Sequence, residues 1–195
     1  MLSDVDERRG EWRDSTYAEY AKVPFETCEI LDEGKLCGRL GYEIADLGHI
    51  AALLVPYGGL RDIDLKAGET IIVSPATGAF GGAAVLVALA MGAKVIAMGR
   101  NVDTIDKIKK RNERVESVPI TGDVLKDSEA LRRFGPVDAF FDVSPPEAGK
   151  APHIKSGNLA LKRELTFLVG HLQSGTEHLI GSTLLGRHSY RFSSF

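Results

Sequence analysis

Cysteine is scarce in this chain. Cys28 and Cys37 are the only two in 195 residues, which excludes a disulfide framework and a Cys-rich zinc lobe and fits a reducing compartment. Neither sign of charge prevails, since 24 Lys and Arg face 27 Asp and Glu for a net charge of -3. A general pull toward nucleic acid or membrane is therefore not expected. No apolar run approaches the roughly 20 residues that cross a bilayer, and the opening MLSDVDERRGEWRD lacks the apolar core of a signal peptide. The cytosol is the expected compartment. Five histidines fall in no HxxxH pattern, and neither cysteine has a His or Cys at ligand spacing, so no metal site is expected. Repeats and low-complexity tracts are missing as well.

What the chain does have is one organised stretch, Glu69 to Asn101, ETIIVSPATGAFGGAAVLVALAMGAKVIAMGRN. Thr70 to Val73 is a short β-branched run of strand length. A small-residue turn spans Pro75 to Gly82, and the Ala-, Val- and Leu-rich run to Met91 is too long and too Ala-rich for a strand. Gly92 is a helix stop, and Lys94 to Met98 reads as a second strand. The order is that of a βαβ unit whose turn faces a dinucleotide's pyrophosphate. The glycine fingerprint at i, i+2 and i+5 falls on Ala76, Gly78 and Gly81. Gly78 lets the backbone approach the phosphates and Gly81 lets the helix approach the strand. Ala76 departs from the pattern and requires φ below zero there.

Around this unit the remaining text alternates. Residues 1–15 are polar and expected to be poorly held. Thr16 to Val23 and Thr27 to Leu31 read as a pair of short strands. Gly41 to Leu60 reads as helix in two pieces, broken or bent at Pro56 and Gly58-Gly59, with His49 expected at the edge of the core. Beyond Asn101 the expectation is a helix over Val102 to Arg111, a strand over Val115 to Ile120, and a helix over Ser128 to Phe134. A strand over Val137 to Val143, a helix from about His153 to Arg163 and a fifth strand over Leu165 to Leu172 follow, with a last short element at His178 to Leu185. Strands alternating with helices imply an α/β fold with a doubly wound parallel sheet of Rossmann type.

The segments TYAEYAKVPFETCEILDE and ALLVPYGGLRDIDLKAGETIIVSPATGAFGGAAVLVALAMGAKVIAMGRN resemble the medium-chain dehydrogenase/reductase superfamily, the zinc-type alcohol dehydrogenase and quinone oxidoreductase group. The resemblance covers roughly residues 10 to 163. It implies that residues 1–40 are a small remnant of the GroES-like catalytic β domain. Residues 41–195 would then be a dinucleotide-binding domain incomplete at its C-terminal end, so that the chain is short at both ends relative to the family. It also implies a homodimer joined through edge strands, with the fifth strand open for pairing.

Site residues follow in part from the residues and in part from that resemblance. Thr77, Gly78, Ala79, Phe80 and Gly81 form the phosphate turn. The end of the second strand reads Gly99-Arg100-Asn101, without the acid that would accept from the ribose hydroxyls of NAD; Arg100 instead suits a 2′-phosphate, so the expected cofactor is NADP(H). The resemblance places Asp123 near the adenine and Ser144 and Pro145 near the nicotinamide. It also places Tyr57, beside Gly58-Gly59, where it can donate a proton or a hydrogen bond. The expected activity is zinc-independent hydride transfer to or from a carbonyl or activated C=C of a small metabolite. The alternatives are a non-redox isomerase or cyclase of a small apolar metabolite, and an inactive nucleotide-binding paralogue.

Overall fold

The computed structural model describes residues 19–23, 25–144, 148 and 151–162, with backbone alone at residue 27 and at residues 166–168. The described residues fall into two compact units, one up to Gly48 and one from His49 onward. In the first unit a 3-10 turn spans Phe25–Thr27, a π-helical segment Gly34–Arg39 and a short helix, α1, Ile44–Leu47. Asp46 Oδ2 accepts from the Glu43 N–H at 2.8 Å and closes the start of α1. The pair of strands expected here is not found: residues 19–23 and 28–31 are irregular, and residue 27 belongs to the turn. Tyr20, Phe25 and Ile30 are exposed, and two short strands without a third have too little to bury. Residues 1–18 and the element expected at 178–185 lie outside the described residues.

The second unit carries helix α2 (Ile50–Asp62), strand β1 (Thr70–Ser74), helix α3 (Ala79–Ala90) and strand β2 (Lys94–Gly99). Helix α4 (Val102–Lys109), strand β3 (Val115–Pro119), helix α5 (Val124–Arg132) and strand β4 (Ala139–Asp142) come next. Helix α6 (Pro152–Ala160) and strand β5 (Thr166–Leu168) are the last of its described elements. The five strands form one parallel sheet in the order β3-β2-β1-β4-β5. Two mononucleotide-type halves thus meet between β1 and β4, where the order reverses. The α/β, doubly wound expectation is met.

Burial explains the strand sequences. β1 is buried from Ile71 to Ser74 and β4 along its whole length, and strands covered on both faces read as continuous β-branched or aromatic runs. On one face Ile71, Val73, Val95, Ala97 and Phe141 pack with Leu60, Ala84, Val85 and Ile105. On the other, Ile72, Ile96, Met98 and Phe140 pack with Leu131, Ile154 and Ala160. Helices α2, α3 and α4 therefore cover one side of the sheet, and α5 and α6 the other. α3 is apolar almost all round because it has two partners, the sheet and α2.

Pro56 does not break α2, which runs unbroken from Ile50 to Asp62. An internal proline costs about 3 kcal/mol. Burying Leu60 completely contributes about 1.5–3 kcal/mol in return, and Pro56 is itself buried. Packing against α3 outweighs the local preference. His49, at the N-cap of α2, is exposed rather than at the core edge.

Candidate functional site

The turn after β1 is shaped by how closely α3 returns to it. A Cβ on Gly81 would lie 1.9 Å from the Pro75 carbonyl oxygen, so only glycine fits. Gly78 is the opposite case: a Cβ there would meet nothing within 4 Å. Gly78 is the N-cap of α3, with φ -84 and ψ 171 and no side-chain cap. The first bond of the helix is Gly82 N–H to Gly78 O at 2.7 Å, and among the described residues no side chain takes the amides of Ala79, Phe80 and Gly81. Thr77, Gly78, Ala79 and Phe80 are exposed and Gly81 is buried. Such an open helix start attracts an anion through its free amides and its dipole. Ala76 is fully buried, its N–H bonds to Met98 O at 2.8 Å, and it is not among the residues with positive φ. The missing first glycine therefore costs nothing at this position.

The ends of the neighbouring strands adjoin this turn. A Cβ on Gly99 would come within 3.0 Å of Thr77 Cγ2 and of Ile105 Cγ2, so the end of β2 lies against the turn. Arg100 is exposed and enters no ion pair among the described residues. Asn101 caps α4, its Oδ1 accepting from Thr104 N–H at 3.1 Å. Asp123 caps α5, its Oδ1 accepting from the N–H groups of Leu125 and Lys126 at 3.0 and 3.1 Å. Two of the expected cofactor residues thus have a first task in their own helices. The loop before Asp123 is held by a residue not foreseen, Asp127, which is buried and accepts from Thr121 N–H and from Thr121 Oγ1 at 2.5 Å.

On the other side of β1, Val143 N–H bonds to Ser74 O at 3.0 Å and brings the end of β4 to the same rim. Ser144 N–H donates to Asp142 Oδ1 at 2.9 Å, and Ser144 Oγ lies 2.9 Å from His153 Nε2 in the first turn of α6. That nitrogen is also 3.6 Å from Asp142 Oδ1. All three side chains are buried. Hydroxyl and carboxylate face one ring nitrogen, whereas a nucleophilic triad places them at opposite nitrogens, so serine hydrolysis is not what this cluster is built for. Ser74, paired in register with Asp142 and hence on the same face, is fully buried with its Oγ unpartnered.

Pro145 lies outside the described residues. Tyr57 stands on α2, a half-exposed side chain on the face of the sheet opposite His153. No group of three or more His, Cys, Asp or Glu able to hold a metal occurs among the described residues. Cys28 is exposed and Cys37 half-buried. No helix among the described residues is long and apolar enough to cross a membrane.

By sequence, no family model and no curated protein matches the chain. Solved structures do. The cyclopropanase of curacin A biosynthesis, the CurF ER domain, superposes with a TM-score of 0.55 at 18% identity over 69% of this chain and 40% of its own. The JamJ enoyl reductase gives 0.54 at 17% identity over 70% of this chain and 40% of its own. The chain shares with these two structures the doubly wound α/β fold of its second unit. An alcohol dehydrogenase superfamily protein from Novosphingobium aromaticivorans matches more loosely, with a TM-score of 0.49 at 22% identity over 66% of this chain and 37% of its own. The chain thus spans about two fifths of the length of these solved structures.

Proposed function

We propose that the chain binds NADP(H) along the carboxyl edge of its sheet and serves a zinc-independent oxidoreductase. The open space at Gly78 carries this reading, since it lies beside an uncapped helix start that a side chain would obstruct. The amides of Ala79, Phe80 and Gly81 hold the pyrophosphate. Arg100, at the end of β2 with no carboxylate at positions 99 and 101, pairs with the 2′-phosphate. Ser144, at the end of β4, meets the nicotinamide half. When bound, the nicotinamide supplies hydride exchange with a carbonyl or an activated C=C of a small metabolite. Tyr57 is the candidate proton donor for that exchange.

An NADPH titration followed by fluorescence tests the reading. Binding of NADPH at least tenfold tighter than NADH is expected, since a charged hydrogen-bonded pair is worth about 1.5–3 kcal/mol. Arg100→Ala should remove that preference and leave NADH affinity nearly unchanged. Equal losses for both cofactors would eliminate the phosphate contact, and no binding at all would leave the isomerase, cyclase and inactive-paralogue readings. Turnover is then sought with quinones, enones and aldehydes.

A further inference from the structure

We propose that His153 is a positioning residue that sets Ser144 as a hydrogen-bond donor toward the nicotinamide half of the cofactor; this rests on the dinucleotide reading above. The sheet order gives the location. With the pyrophosphate on the turn after β1 and the 2′-phosphate at the end of β2, the second nucleotide lies across β1, over the end of β4. Among the described residues, the polar side chains at the end of β4 are Asp142 and Ser144.

Loop residues at a sheet's rim are ordinarily solvated. Ser144, in the loop, is only 8% exposed, and with Asp142, the last residue of β4 at 2%, it converges on an imidazole that is 7% exposed. Removing three such groups from water is costly unless their bonds are made. The tautomer follows from the partners. An unprotonated Nε2 would face the carboxylate oxygen of Asp142 at 3.6 Å, so Nε2 carries the proton and donates to Ser144 Oγ at 2.9 Å. Ser144 Oγ then accepts from His153, and its own proton is left for another acceptor. No acceptor for it occurs among the described residues. The Ser144 N–H is already taken by Asp142, so the hydroxyl proton is the one Ser144 has left to donate. A carbonyl oxygen, such as that of the nicotinamide carboxamide, is the chemistry that completes it.

Calorimetry with the full chain compares NADPH with 2′,5′-ADP, which keeps the 2′-phosphate and lacks the nicotinamide half. His153→Asn puts its amide nitrogen near the place of Nδ1, and His153→Gln near that of Nε2. His153→Asn should weaken NADPH about tenfold, the worth of one buried hydrogen bond, and leave 2′,5′-ADP unchanged. His153→Gln should restore most of the loss. Ser144→Ala should match His153→Asn, and the double variant should lose no more than either alone. Parallel weakening of both ligands would make His153 merely structural and overturn the inference, as would NADPH affinity unchanged in both single variants. A wild-type chain that binds neither ligand removes the dinucleotide reading itself, a result distinct from either of these.

Discussion

Two glycines three residues apart perform opposite tasks. Gly81 is required by contact, because any side chain would overlap the Pro75 carbonyl, whereas Gly78 is required only if something else comes to fill the space. Gly78→Val should therefore keep the fold, losing about 1 kcal/mol at the helix cap, yet weaken NADPH more than tenfold. Gly81→Ala should unfold the turn and lower the thermal midpoint by many degrees; a folded Gly81→Ala chain of normal stability would contradict the close approach. Both glycines were legible from the fingerprint spacing, and so was the demand that Ala76 keep a negative φ. His153 was not legible, because eight residues with three prolines separate it from Ser144 and no helical or strand period relates them. The nearest signal is its place just after Pro152, a proline at the first position of a helix.

The helices on the α5–α6 side of the sheet depend on buried features that periodicity does not reveal. α5 begins at Val124, four residues before the start expected from its apolar residues, because Asp123 caps it and Asp127 turns inward to bind Thr121. A charged residue in the first turn usually means solvent, so the sequence pattern misled here. Asp127→Ala should cost about 1–3 kcal/mol, the penalty for stranding the Thr121 amide, measured by urea unfolding. α6 rests on Phe140 through Gly157, where a Cβ would come within 2.8 Å of the ring. Gly157→Ala should push the helix outward and cost about 1–3 kcal/mol by overpacking. Because His153 rides on the same helix, this variant should also loosen NADPH, whereas a shift in stability with NADPH affinity untouched would argue that the two ends of α6 move independently.

At the scale of the molecule, the alternation of strands and helices was enough to read the doubly wound sheet. Residues 19–23 and 28–31 of the expected N-terminal strands are irregular, with Tyr20 and Ile30 exposed, because two short strands alone have too little to bury. β5 pairs with β4 alone among the described residues, and an edge of that kind is open to a second copy. Light scattering is expected to show a homodimer, and a monomer at every concentration would exclude it. The junction of β1 with β4 has a kinetic consequence. Thr70 and Asp138, 68 positions apart in the chain, exchange two hydrogen bonds at its lower end, of 2.8 and 2.9 Å, and Ser74 and Val143 join at its upper end. Closing so long a loop is slow, and the two halves of the sheet should each gain structure before they zip together. Trimming Phe141 to Leu at that junction should consequently quicken unfolding while refolding keeps its pace.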